Sequence, residues 1–274
     1  MSRFLDDMAR ASAARVEQAL ERESFEALRR RAWEAPRGAP LPASTGFDVI
    51  AELKLRSPAA GRLGAATDDW LGRIAAYARG GAAAVSVLTE PTRFDGSLEH
   101  LREAAAALAP LKVPAMRKDF LVDPYQVLEA RAAGAGGVLV IIRMLPAARI
   151  AQLLDTAAEH GLFVLLEAFD PADLRLAAGL LEGRAERGER ILVGVNCRDL
   201  QTLQVVPERF AALAPLLPPD FPAVAESGVA SAADACRMRD LGYRAALIGT
   251  ALMAHVNPAQ LLLEIIAATR TVKL

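Results

Sequence analysis

Five short apolar runs of this sequence end in side chains that could move protons on an anionic substrate. Glu52 and Lys54 stand two residues apart, a spacing that a β-strand places on one face. Further along, Lys118 shares a face of its run with Phe120, while Arg117 and Asp119 point the other way. Glu167, then Asn196 with Arg198, then Glu226 close three more runs. Taken singly, any of these reads as a salt bridge at the edge of a sheet. Seven ionisable or amide side chains at the same end of five strands read as an acid–base site, because buried charge is expensive unless it is paired or used.

A second signal sits at the last two runs. Ser227-Gly228 follows one and Gly249-Thr250 ends the other, each supplying a small residue and a hydroxyl. Loops after the seventh and eighth strands of a barrel, with a short helix N-terminus, are a common phosphate grip. Three cations (Lys54, Lys118, Arg198) then face three carboxylates (Glu52, Glu167, Glu226), which leaves an anionic ligand no surplus positive charge. Backbone amides are therefore expected to take much of a phosphate's charge, and one carboxyl to carry a proton. Crowded lysines lower each other's pKa and neighbouring glutamates raise it; the sequence leaves the balance open.

The elements that must position these groups can be counted. Apolar, β-branched runs span residues 47–54, 82–89, 113–120, 136–143, 161–169, 191–198, 221–226 and 245–250, with room for a helix between each pair. Strands alternating with crossover helices form a parallel sheet, and eight such units close a (β/α)8 TIM barrel. An open doubly wound sheet is the alternative, but its GxGxxG turn is missing: Lys54-Leu55-Arg56-Ser57-Pro58 follows the first run. Gly134-Ala135-Gly136-Gly137 precedes a strand, so these glycines are expected to cap a helix. Residues 3–32 place Leu5, Met8, Val16, Leu20, Phe25 and Leu28 on one helical face and run into Pro36, Gly38, Pro40 and Pro42. The expected division is a helical extension with linker over residues 1–46 and a catalytic barrel over 47–274. Arg117 and Asp119 are expected to pair in the helix layer, and Glu90, Arg93 and Arg143 are left outside the site.

Composition narrows the function. Of 274 residues, 53% are hydrophobic and 24% charged, the balance of a packed globular chain. The net charge of −1 and the lack of basic runs interleaved with aromatics speak against nucleic acid and membrane surfaces. Charges interrupt the N-terminus and no apolar run nears about 18 residues, which predicts a cytoplasmic protein. Cys197 and Cys236 lack CxxC spacing, and His100, His160 and His255 are scattered, so neither a disulfide nor a metal is expected.

From Phe47 to the C-terminus the chain resembles the indole-3-glycerol-phosphate synthase family. The resemblance is carried in order by Ala51-Glu52-Leu53-Lys54 with Ser57-Pro58, Val85-Ser86-Val87-Leu88-Thr89-Glu90, and Arg117-Lys118-Asp119-Phe120. Glu167, Asn196-Cys197-Arg198-Asp199-Leu200, Ala225-Glu226-Ser227-Gly228 and Leu247-Ile248-Gly249-Thr250 complete it. It implies a carboxy-lyase of tryptophan biosynthesis that needs no cofactor and takes a small anionic substrate, 1-(2-carboxyphenylamino)-1-deoxyribulose 5-phosphate. It further implies that Lys118 is the general acid, Glu167 the base for dehydration, Lys54 a holder of the anthranilate carboxylate or partner in the acid role, and Glu52 the group that orients both lysines. Asn196 and Glu226 would position substrate hydroxyls, Phe120 would wall the aromatic ring, and Arg198, Ser57, Ser227, Gly228, Gly249 and Thr250 would form the phosphate end.

The N-terminal extension would cover the barrel mouth. A monomer is the expected state. Two features depart from the family: Ala59 stands where a second serine is common, and residues 182–190 look like an insertion, expected to be a solvated loop on the opposite rim. Rival readings are a Schiff-base aldolase using a barrel lysine as nucleophile, phosphoribosylanthranilate isomerase, and a barrel that binds phosphorylated ligands without catalysis.

Overall fold

The computed structural model describes residues 3–43, 46–57, 61–62, 69–200 and 202–270. Eight strands form a closed, all-parallel barrel: β1 (Asp48–Leu53), β2 (Ala84–Leu88), β3 (Ala115–Lys118), β4 (Gly137–Ile141), β5 (Phe163–Ala168), β6 (Ile191–Asn196), β7 (Ala223–Glu226) and β8 (Ala245–Ile248). Each pairs with the next, and β8 returns to β1 through Asp48 opposite Ala245. The eight expected runs are all present and the open sheet is excluded. They are shorter than expected because Lys54, Thr89, Phe120 and Arg198 have left the ladder and belong to the loops of the mouth.

Period-two alternation sorts the strand residues into two cores. Val49, Ala51, Val85, Val138, Val140, Leu166, Val193, Val195 and Ile248 pack outward with helix residues such as Ile74, Leu101, Leu153 and Leu262. Ile50, Met116, Leu139, Phe163, Leu165, Leu192, Val224 and Leu247 fill the interior. Each such apolar side chain contributes on the order of 1.5–3 kcal/mol on burial. The crossover helices start where local chemistry directs. Asp123 and Ser231 form capping boxes ahead of helices Pro124–Ala132 and Ala232–Asp240, and Asp170 caps Pro171–Leu181 with proline at its first position. Of the glycines before β4, only Gly134, at φ +86°, serves the helix end; a Cβ on Gly137 would meet the Phe163 ring at 2.4 Å, so that glycine makes room inside the barrel.

The extension departs from the expected single amphipathic stretch. It is two helices, α1 (Arg3–Arg22) and α2 (Phe25–Glu34), because Ser24 accepts from Ala27 N and starts a new helix. The break leaves Leu20 and Phe25 exposed, while Leu5, Met8, Val16 and Leu28 are buried. Leu5 and Met8 join the interior cluster at the mouth. The Arg15 guanidinium grips Asp119 at 2.7 and 2.9 Å, and Gln126 Nε2 donates to Ser12 Oγ at 2.8 Å.

Residues 182–190 lie before β6, on the rim away from the mouth, as expected, but they are not merely a solvated loop. Arg184 is buried and donates to Leu180 O at 2.8 Å and to Asp155 and Glu189 at 2.7 Å each. No helix among the described residues is long and apolar enough to cross a membrane.

Candidate active site

Lys118 closes β3 with its side chain inward, and the parity that puts it there sends Arg117 and Asp119 to the helix layer. There they pair as expected, Arg117 Nη2 lying 3.2 Å from Asp119 Oδ2. Glu167 on β5, Asn196 on β6 and Glu226 on β7 end their strands on the interior side. Glu52 on β1 and Lys54 just beyond it complete the ring. All six line one cavity of about 470 Å³, together with Phe120, Arg198, Ser227, Gly228, Gly249 and Thr250. Of the expected site residues only Ser57 is not placed here: its backbone pairs with Gly61 in a short hairpin after β1, and its side chain lies outside the described residues.

The polar groups form two linked sets. Lys54 Nζ is 2.9 Å from Glu52 Oε1. Lys118 Nζ lies between two carboxylates, 3.5 Å from Glu167 Oε2 and 3.6 Å from Glu226 Oε2. Asn196 Nδ2 donates to Glu167 Oε1 at 2.7 Å, while its Oδ1 accepts from Ser227 Oγ at 2.9 Å and from Arg198 N at 2.9 Å. One amide therefore ties the Glu167 side to the Ser227 turn, whose Ser227 and Gly228 both hold left-handed φ, +67° and +70°. The Ser227 hydroxyl, expected to face a phosphate, is engaged with Asn196. Arg198 likewise uses Nη1 on Leu203 O at 2.8 Å, closing the loop beside the mouth.

Two glycines let these carboxylates sit where they do. A Cβ on Gly194 would stand 2.0 Å from Glu226 Oε1, and one on Gly249 would stand 2.3 Å from Glu52 Oε1 and 3.1 Å from Lys54 Nζ. Any side chain at either position would displace a buried carboxyl group.

Electrostatics resolve the balance that the sequence left open. Burial works against a charged Lys118, but Glu167, Glu226 and Glu52 outweigh it and hold its pKa above the ordinary lysine value. Burial likewise opposes a charged Glu52, and Lys54 and Lys118 overcome it, so Glu52 is held below the usual carboxylate range. Glu226 goes the other way. Burial, then the neighbouring Glu167, push its pKa well above the ordinary value, and neither of its oxygens has a hydrogen-bond partner among the described residues.

The remaining wall is apolar, and sequence reasoning had named only Phe120 of it. The Phe120 ring meets Phe4 edge-on at 5.8 Å and Phe94 at 6.3 Å. Leu139, Ile141 and Phe169 also face the cavity. Leu139 and Ile141 were legible in principle, since they share the parity of the inward residues on a strand that ends at Ile141. Phe4 comes from α1 and had no local signal. A charged acid, a neighbouring base, an apolar aromatic wall and an end rich in small residues suit proton transfer on an aromatic, phosphorylated substrate. Among the described residues no group of three or more His, Cys, Asp or Glu is placed to hold a metal.

Comparison with known proteins agrees with this chemistry. The sequence model of a family described as "Indole-3-glycerol phosphate synthase" matches residues 5–265. An indole-3-glycerol phosphate synthase from a Nocardioides species is 45% identical over 221 residues, covering 80% of this chain and 80% of its own. Another, from Koribacter versatilis, is 40% identical over 267 residues and covers 96% of this chain and 97% of its own. Among solved structures, 3-hexulose-6-phosphate synthase from Salmonella typhimurium has a TM-score of 0.64 at 15% identity, over 82% of this chain and 99% of that one. That last likeness is one of fold alone.

Proposed function

The chain belongs to the indole-3-glycerol phosphate synthase family, and from that premise we propose how its own residues divide the reaction. The family's carboxy-lyase reaction, a step of tryptophan biosynthesis, closes the indole ring of 1-(2-carboxyphenylamino)-1-deoxyribulose 5-phosphate with loss of carbon dioxide and water.

Lys118 is the general acid. As the ring carbon bearing the carboxylate attacks the ketone carbon, the Lys118 ammonium protonates the ketone oxygen, so no alkoxide accumulates. The carboxylate then leaves as carbon dioxide, returning its electron pair to the ring. Glu167 removes the proton from the carbon next to nitrogen, and the hydroxyl departs with a proton as water. Overall one proton is taken up from solvent. Lys54, oriented by Glu52, meets the substrate carboxylate. Asn196 and Glu226 meet the sugar hydroxyls, Phe120 walls the ring, and Arg198 and the Ser227, Gly228, Gly249 and Thr250 turns take the phosphate.

The observation that carries this reading is the placement of Lys118 Nζ within 3.6 Å of two carboxylates at the wall of an aromatic-lined cavity. It also weakens the aldolase alternative, because a lysine held protonated is a poor nucleophile. The proton expected on one carboxyl is assigned to Glu226. Substrate affinity should therefore vary with pH, and a flat profile from about pH 5 to 9 would remove that proton. The test of the whole reading is indole fluorescence on adding the substrate to pure protein. No signal above the uncatalysed background, or a borohydride-trapped adduct at Lys118, would sink it.

A further inference from the structure

Arg143 stands in the turn after β4, and its guanidinium makes a set of contacts that the acid–base reading does not use. Its carbon sits 4.5 Å above the centre of the Phe169 ring. Nε and Nη2 donate to Asp173 Oδ2 at 2.9 and 2.6 Å, and Nη2 also donates to Asp170 Oδ2 at 2.6 Å. The same Asp173 oxygen accepts from Phe169 N at 2.8 Å. One cation thus holds Phe169 twice, from its face and through its backbone.

Phe169 is 4% exposed, lines the cavity, and follows Glu167 by two residues. Asp170 cannot drift, because its other oxygen caps helix Pro171–Leu181 through Ala172 N and Asp173 N. Ion pairs with partly exposed partners are by themselves worth little. A fork that reaches the amide of one aromatic residue through Asp173 while its carbon lies over the ring restricts that ring's rotamer instead, and cation–π attraction adds to it.

We propose that Arg143 is a positioning residue for ring closure: it clamps Phe169 against the substrate's aromatic ring and so sets that ring's distance from Lys118 and Glu167. The proposal rests on the acid–base reading above and adds a residue to it that never touches substrate. Arg143→Met should lower kcat/KM by about 10- to 100-fold, mostly in kcat, since misplacement on the scale of 1 Å is worth up to about 100-fold. Phe169→Leu should lose a similar factor. Because both remove one clamp, the double variant should fall no more than about twofold below the worse single variant. Arg143→Lys, which keeps the charge without the fork, should recover part of the loss.

Steady-state kinetics followed by indole fluorescence, with Tm measured alongside, read all four variants. Multiplying losses in the double variant, full activity in Arg143→Lys and Arg143→Met, or a lowered Tm with unchanged kcat, would each overturn the clamp. If Arg143→Met does not fold, Arg143→Lys with Phe169→Leu runs the same cycle. Failure here leaves wild-type turnover intact, whereas failure of the underlying reading abolishes indole formation in the wild-type protein.

Discussion

Lys118 and Asp119 are neighbours in the chain, and their side chains enter two ionic networks that obey opposite rules. On the outer face Asp119 is fully satisfied: it accepts from Arg15, from Thr89 Oγ1 at 2.7 Å, from Arg117 and from Phe120 N at 2.8 Å. Arg117 in turn donates to Gln126 O at 2.8 Å and to Glu129 at 2.9 Å. Although burial opposes its charge, Arg117 and Arg15 pull the Asp119 carboxyl down to about 2. On the inner face the contacts of Lys118 with Glu167 and Glu226 are 3.5 and 3.6 Å, and the Glu226 oxygens have no hydrogen-bond partner among the described residues. A satisfied network holds the chain in place, and an under-satisfied one keeps its charge available for what enters the cavity.

The contrast breaks most sharply at Lys118. Lys118→Met should lower kcat by several orders of magnitude, at or beyond the 10² to 10⁴-fold usual for a positioned acid, with KM changed less than about tenfold. Near-normal turnover would erase the distinction between the two faces. The matching change outside, Asp119→Asn, should act on stability, removing about 3–5 kcal/mol because Arg117 is left buried with less compensation. Its pH dependence has a definite sign. A depressed carboxyl contributes stability that is present above its unfolded pKa of about 3.9 and is lost as pH falls toward about 2. Acid unfolding between about pH 4 and 2 should therefore be steeper in the wild type than in Asp119→Asn.

Glu226→Gln sharpens the comparison from the inner side. A carboxyl whose folded pKa is raised destabilises the fold increasingly as pH climbs from its unfolded pKa toward the folded one. The variant should gain Tm relative to wild type as pH rises above about 4.3, yet lose on the order of tenfold in kcat/KM. A variant less stable than wild type at every pH would show that Glu226 is an ordinary structural charge. The smallest effect belongs to the opposite rim. Arg184→Lys should lower Tm slightly and leave kcat/KM within about twofold, since loops entering strands lie away from barrel chemistry; a large kinetic change would deny that the two rims are independent.

Much of the site was legible because two periodicities carry it. Alternation along a strand separates Lys118 from Asp119, and the end of an apolar run marks the rim on which Glu167, Asn196 and Glu226 stand. What escaped has no local periodicity. Phe4 reaches the mouth only because α1 folds over it, Phe94 sits on a four-residue helix after β2, and Phe169 looked like any core aromatic. Ser24 was a helix start hidden by the continuing apolar face on both sides of it. Arg143 carries no such signal, because nothing in the sequence says which of its neighbours folds back beneath its guanidinium.

The amino-acid order alone determined the eight-fold alternation, and with it the parallel barrel and the rim that collects the ionisable side chains, since strand and helix patterning are local properties. Only the closed barrel decided which carboxyl has its pKa raised and which has it lowered. That depends on distances across the interior between β1, β3, β5 and β7, and on Gly194 and Gly249 leaving space for Glu226 and Glu52. Such through-space terms depend on residues far apart in the chain, so they are created by folding and cannot be read before it.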